Sequence, residues 1–258
     1  MAMNPRWTYG KDTSLTLRMY FVMFMLAALY LFFVTAMWGL GIPIQFVIII
    51  AGLMFMFQWF GSEKLVLRSM HAKVVTEQEQ PKLHAMVDKL VANADMIKPK
   101  VALAMTDVPN AFASGRNQKK ALVCVTEGLV RRLDDDELEG VIAHELSHIK
   151  NGDVRAMMLA SFFATVAAML MNMLMWMTLF GGMGRHRGHG SSATGALMLA
   201  YFVSILVYFL ATLLILALSR YREFAADRGA AMLTRAPSKL ASALEKISGI
   251  IAQIPTDD

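Results

Sequence analysis

Four stretches of the chain contain no lysine, arginine, aspartate or glutamate: residues 19–40, 43–61, 156–181 and 195–218. Each is near or above the ~18–20 apolar residues that cross a bilayer as a helix. A charge at the bilayer centre is costly, and core helices of soluble proteins seldom run this far without one. The pattern therefore predicts four transmembrane helices arranged as two hairpins. The first begins near residue 19 and has no small-residue cleavage site, so it reads as a retained span and not as a removed leader.

Between the hairpins the periodicity changes. Residues 78–97 form an amphipathic helical pattern with Pro81 in the first turn, and Leu83, Met86, Val87, Leu90, Val91 and Ala94 fall on one face. Three short strands follow, at 100–104, 111–114 and 121–126, separated by Asp107-Val-Pro-Asn110 and by Gly115-Arg-Asn-Gln-Lys119. A short helix is expected from Glu127. The acidic run 134–137 suits the positive end of a helix dipole, as a cap and solvated patch. Apolar Val141, Ile142, Leu146 and Ile149 continue that helix, and Asn151-Gly152 marks its end.

Composition agrees with a membrane protein. Of 258 residues, 56% are hydrophobic and the mean hydropathy is +0.47. That is too apolar for a soluble domain of this length. The single cysteine, Cys124, rules out an intrachain disulfide and sits in an apolar run that reads as core. The net charge of +5 is not spread as a nucleic-acid surface would be. Residues 62–155 carry fourteen Lys/Arg and 219–258 carry six, against two (Arg185, Arg187) in the loop joining the last two spans. This excess places both termini and segment 62–155 in the cytoplasm, with the lipid bilayer as the obvious partner and no nucleic acid. His186 and His189 in the loop 181–194 stand without nearby Cys or carboxylate and read as part of a flexible connector.

The chemistry is concentrated in His144-Glu145-Leu146-Ser147-His148. Residues four apart share a helix face, so both imidazoles can reach one ion. Glu145 can face a water held by that ion without ligating the ion itself. Zinc lowers the pKa of such a water to about 7, and a carboxylate can then take its proton. A catalytic zinc needs a third protein ligand. His71 and His84 lie early, on what reads as helix surface. Glu223, directly after the fourth apolar block, is the better candidate, and Asp227 lies one turn further on the same face. There it could accept the free ring N–H of a ligand histidine. The bland alternative is a surface on which Glu223 and Asp227 answer Arg220, Arg222 and Arg228.

The string His144-Glu-Leu-Ser-His-Ile-Lys-Asn-Gly-Asp153, the hydrophobic hairpin after it, and Ser219-Arg-Tyr-Arg-Glu-Phe-Ala-Ala-Asp227 together resemble the HtpX-type membrane zinc proteases. These are gluzincins related to the CAAX prenyl endopeptidases. Pro109-Asn-Ala-Phe-Ala-Ser-Gly115 and Val125-Thr-Glu-Gly-Leu129 extend the resemblance over most of the chain after the first hairpin. It implies His144, His148 and Glu223 as ligands of one zinc ion per chain, Glu145 as general base and Asp227 as the partner of a ligand histidine. It also implies that Asn110, Ala111, Phe112 and Ala113 form an edge strand that holds substrate in extended form. Members of the family are bacterial inner-membrane proteins that degrade or clip damaged membrane proteins during envelope stress. They usually continue to a His-Pro-Pro segment, which this sequence does not contain before Asp258. Either the sequence is a shortened form or this member lacks that element, and the point bears on full catalytic power, not on the metal site.

The reading is an α-rich integral membrane protein: four transmembrane helices with a small α+β zincin-like catalytic domain. Its parts are a transmembrane hairpin (1–61), the catalytic domain (62–155), a second hairpin (156–218) and a helix completing the catalytic domain (219–258). The expected activity is zinc endopeptidase action on misfolded membrane proteins at the cytoplasmic face. A non-catalytic scaffold or chaperone that holds misfolded clients is the rival, but it has no need of Glu145. A zinc site inside the bilayer is disfavoured because charged residues flank the histidine string on both sides. By the spacing of His148 and Glu223 from the apolar blocks, the zinc is expected within ~12 Å of the membrane boundary.

Overall fold

The computed structural model describes residues 12–41, 44–180 and 191–253. The chain divides into two compact units. One gathers Trp59–Ala156 with the segment from Arg222 onward; the other gathers Thr13–Gln58 with Met157–Tyr221.

The second unit is helical. It takes in α1 (Thr13–Gly39), most of α2 (Ile44–Ser69), most of α6 (Asp153–Phe180) and the first part of α7 (Ser191–Thr234). In α1 the buried side chains Val22, Leu26, Tyr30, Phe33 and Met37 recur every three to four residues and so form one face. They pack with Phe162, Val166 and Leu170 of α6 and with Val207, Ala211 and Leu218 of α7. The outward faces are apolar too, with Tyr20, Phe24, Leu31, Phe32, Trp38, Phe202 and Leu216 all exposed. A helix that is apolar all round is suited to lipid. Among the described residues, three helices are long and apolar enough to cross a membrane: Thr13–Gly39, Asp153–Met177 and Gly195–Thr234. The expectation of four such spans is matched only to that extent. Residues 44–61 of the second block do lie in a 26-residue helix, α2, but α2 is not one of the three. His186 and His189 lie outside the described residues.

The first unit is a small α+β domain. Its four strands are β1 (Ala72–Val74), β2 (Lys100–Ala104), β3 (Ala111–Ser114) and β4 (Leu122–Thr126), in spatial order β1-β2-β4-β3. Strands β2 and β4 run parallel, while β1 and β3 pair antiparallel to them. β3 is therefore an edge. Every residue of β4 is buried, because the central strand is covered on both faces. Val123 and Val125 point to the main core with Val101 and Leu103; Leu122 and Cys124 point to the other face with Ala102, Ala104 and Phe112. Burial pushes the Cys124 thiol up to about 11, which makes it inert packing. Strand β1 has no sequence signal. It is three residues long, half-exposed, and exists by pairing with β2.

The amphipathic helix appears as α3 (Pro81–Ala94), and five of its six expected apolar positions are buried. His84 corrects the reading of a surface position. It is 8% exposed, and its Nε2–H donates to Val75 O at 3.0 Å, fastening the helix to the end of β1. Its ring is used in structure and is turned away from any ligand role.

The helix that carries the histidine string is α5 (Asp135–Asn151). Asp134 caps it. Its Oδ1 accepts the Glu137 N–H at 2.8 Å. In return, Glu137 Oε2 accepts the Asp134 N–H at 3.0 Å, which completes a capping box. Glu137 does more than cap, which corrects its reading as a solvated residue. Its side chain is 2% exposed and accepts from Lys246 at 2.7 Å and Ser242 at 2.6 Å, both on α8 (Pro237–Ile251). Those two bonds hold its carboxyl down at about 2, so it stays charged through the neutral range. One turn on, Gly140 allows α8 to come close, since a Cβ there would lie 3.2 Å from Leu240 N. The far end of α5 closes on Gly152 at φ +73°, a left-handed cap that glycine adopts without strain. The chain then restarts at once as α6.

Candidate active site

Helix α5 buries Val141, Ile142, Ala143, Leu146 and Ile149 against β3, β4, α3 and α8. This leaves His144 and His148 one turn apart on the opposite face, each ring only 15% exposed. Glu223, on the last part of α7, meets them. The three side chains offer ligand atoms that lie within 4.8 Å of one another, and among the described residues this is the one such His/Cys/Asp/Glu group. His144 Nε2 is 3.1 Å from His148 Nε2 and 3.3 Å from Glu223 Oε2, while His148 Nε2 is 3.7 Å from Glu223 Oε1.

The opposite ring nitrogens are both occupied by carboxylates. His144 Nδ1 is 3.0 Å from Asp227 Oδ1, an ion-pair contact not aligned as a hydrogen bond. His148 Nδ1 lies 2.7 Å from Asp153 Oδ2 in hydrogen-bonding geometry. A carboxylate fixes the proton of a histidine on the nitrogen it faces, so the two Nε2 lone pairs are left pointing at one another. Two lone pairs at 3.1 Å beside a carboxylate oxygen repel unless a proton or a metal ion lies among them. The donor set, two imidazole nitrogens and one carboxylate oxygen, suits a zinc-type ion. The pull on positive charge is visible in His148. Burial alone would lower its proton affinity, yet Asp153 and then Glu223 reverse this and raise its pKa to about 10.

Sequence reasoning does not find Asp153 as a site residue. It stands five residues after His148, a spacing that no continuous helix would bring onto the same face. The left-handed turn at Gly152 restarts the chain and swings Asp153 back to the ring. Its other oxygen is 2.9 Å from Arg222 Nη1, and both side chains are 5% exposed. Arg222, a surface cation in the linear pattern, is instead a buried one, adjacent in sequence to Glu223. Asp153→Asn and Asp227→Ala are each expected to lower metal affinity about 10–100-fold without abolishing binding. Chelator titration of the purified protein measures this, and unchanged retention would reduce either carboxylate to an ordinary ion-pair partner.

Glu145 is next to the cluster but not in it. Burial raises its pKa, the charges of both histidines oppose that, and the Ala113 backbone N–H donates to its carboxylate. Ala113 belongs to edge strand β3, so the carboxylate is pinned between the histidine pair and the strand edge. Asn110, Ala111 and Phe112 precede it. The Asn110 N–H donates to Thr126 Oγ1 at 2.9 Å, which fixes the start of the strand. His71 lies exposed in the turn between α2 and β1, and neither it nor His84 joins the cluster.

Comparison with known proteins places this arrangement. Residues 77–254 match the model of peptidase family M48, a span that contains every residue of the cluster. A protease HtpX homolog of Moorella thermoacetica is 50% identical over 250 residues, covering 96% of this chain and 82% of the relative. Protease HtpX homolog 2 of Methanosarcina mazei is 48% identical over 256 residues, covering 99% and 84%. Among solved structures, S. mikatae Ste24p superposes with a TM-score of 0.51 at 15% identity. That match covers 92% of this chain and 59% of the other, and at this identity it speaks to the fold alone. A chain with apolar helices long enough to cross a membrane and a His144, His148 and Glu223 cluster that could hold a metal ion, matched over two-thirds of its length by one peptidase family, belongs to peptidase family M48 and is a metalloendopeptidase.

Proposed function

We propose that the chain is a zinc endopeptidase in which His144, His148 and Glu223 hold one zinc ion, Glu145 is the general base, and Asp227 orients His144. The observation that carries this is the pair of histidine Nε2 atoms at 3.1 Å whose Nδ1 atoms both face carboxylates. When bound, the ion supplies Lewis-acid polarisation of the scissile carbonyl and lowers the pKa of water. The protein's own part follows from Glu145. Its carboxylate takes the proton of the attacking water and returns it to the leaving amine, and its raised pKa suits both transfers. Asn110, Ala111, Phe112 and Ala113 supply the edge along which an extended substrate pairs through its main chain. An extended chain presents one peptide bond at a time to the base, whereas a folded protein does not.

The proposed substrates are misfolded or damaged membrane proteins, cut at the cytoplasmic face of a bacterial inner membrane that the chain crosses four times. The basic excess of 62–155 and 219–258 supports this orientation. Proximity supports the substrate class. On helix α7, Glu223 follows closely on the apolar block that ends at 218. At the helical rise per residue, the separation is about 8 Å. The test places one cleavable sequence in three fusions: close to a transmembrane segment on the cytoplasmic side, equally close on the far side, and on a soluble carrier. The cytoplasmic tethered copy is expected to be cut fastest and the far-side copy to stay intact. Equal or faster cleavage of the soluble carrier would sink the substrate assignment, and cleavage of the far-side copy would reverse the orientation.

A further inference from the structure

The link from β2 to β3 crosses the end of the strand between them. In the order β1-β2-β4-β3 the two strands flank β4, and β2 runs parallel to β4 with Ala104 beside Thr126. Residues 105–110 therefore pass over the end of β4, where α4 (Glu127–Arg132) begins, before β3 starts at Ala111 beside Val125. Gly128 sits under the crossing, and its N–H donates to Thr106 O at 3.0 Å. A Cβ there would lie 2.5 Å from the carbonyl carbon of Asp107 and against its oxygen. Both are backbone atoms, which cannot swing aside as a side chain can, so a side chain at 128 lifts the link. Gly128 is not among the glycines with positive φ, so space and not conformation excludes the side chain.

Thr126 makes the second hold. It is fully buried, and its Oγ1 accepts the N–H of Asn110 at 2.9 Å and that of Leu129 at 3.2 Å. Its own N–H donates to Asn110 O at 3.0 Å. One residue thus ties the start of β3 to the first turn of α4. Asp107 adds ion pairs with Arg131 and Arg132, but its carboxylate is exposed and such pairs hold little. Three residues beyond Asn110 stands Ala113, whose N–H bonds Glu145. Strand β3 has only four residues, so its start sets its place. We propose that Gly128 and Thr126 are positioning residues for the reaction: the crossing they hold sets β3 where the Ala113 N–H orients Glu145. This rests on the reading of Glu145 as the general base. Opening a 2.5 Å contact to an ordinary ~3.5 Å takes a backbone shift of about 1 Å. A misplacement of about that size at a reacting group can cost ~10²-fold in rate.

The test uses the full-length zinc-loaded protein and one fluorogenic peptide chosen because the wild type cleaves it. Gly128→Ala is expected to lower kcat about 10–100-fold. Zinc content should stay at the wild-type level, because the metal-binding side chains come from α5 and α7. Thr126→Val should turn over about tenfold more slowly than Thr126→Ser, which keeps the hydroxyl that Asn110 and Leu129 use. A double-mutant cycle separates positioning from general damage. In the Glu145→Gln background, Gly128→Ala and Thr126→Val should each cost less than about threefold, because the group they orient is already inert. Equal fold losses in the two backgrounds overturn the proposal, and so does Gly128→Ala within about threefold of wild type when Glu145 is intact. Should Gly128→Ala fail to fold, the Thr126 pair decides alone, and equal turnover of the valine and serine variants overturns the proposal. The base reading is scored separately by Glu145→Gln itself. Turnover of that single variant within about tenfold of wild type discards the base and the positioning role together. A large loss there with no coupling to positions 126 and 128 discards the positioning role alone.

Discussion

Replacing Glu145 by glutamine should lower the turnover of a peptide substrate by about 10²–10⁴-fold, the usual contribution of a positioned general base, while bound metal is unchanged. The two halves of this expectation have different origins. Activity falls because an amide of the same shape cannot take a proton from water. Metal stays because the converging atoms belong to His144, His148 and Glu223, and Glu145 is not among them. The Ala113 N–H can bond the glutamine carbonyl as it bonds the carboxylate, so the local strand-to-helix contact persists. Turnover within tenfold of wild type would remove Glu145 from the mechanism. Loss of metal in this variant would mean that the donor set is misassigned.

The second large effect lies behind the cluster. Arg222 and Asp153 form an ion pair with both side chains 5% exposed. Removing one partner of such a pair leaves the other charge buried without its counter-ion, and the usual penalty is about 3–5 kcal/mol. Arg222→Met is therefore expected to destabilise the protein by about that amount, seen as a lower denaturation midpoint in detergent. The His148–Asp153 bond is untouched by this change. Adding Asp153→Asn removes the stranded charge, so the double variant should regain part of the lost stability while its metal affinity falls as in Asp153→Asn alone. Destabilisation below about 1 kcal/mol in the single variant, the range of an exposed pair, would show that the contact is solvated and incidental.

What the sequence made legible follows periodicity and local chemistry. Residues 100–104 and 111–114 become strands with those bounds, and 121–126 loses only Ala121, whose N–H closes the 3-10 turn Gln118–Lys120 by bonding Gln118 O. The α5 helix is readable because Asp134, the apolar spacing and Gly152 agree on where it starts, which face it buries and where it stops. The i, i+4 spacing places His144 with His148 and Glu223 with Asp227 on one face of each helix, and the packing of α7 on α5 brings the two pairs together. The rest depends on tertiary context. Asp153 reaches His148 through a left-handed turn that breaks helical spacing. Glu137 and Arg222 look like surface charges in a linear reading, and only the packing of α8 and the junction before α6 buries them. Strand β1 and the inward ring of His84 arise together, since His84 bonds the residue that follows the strand. None of these has a local signal strong enough to outweigh the surface reading of a charged or polar residue.

The proposed activity depends on a metal centre closed by Glu223 from a helix distant in sequence. The most direct measurement is the metal content of the purified full-length protein by mass spectrometry, wild type against Glu223→Ala. The account predicts about one zinc per wild-type chain and a large loss in Glu223→Ala under the same chelator wash, with Glu145→Gln retaining the wild-type amount. Equal zinc in wild type and Glu223→Ala, or no stoichiometric metal in either, would contradict it.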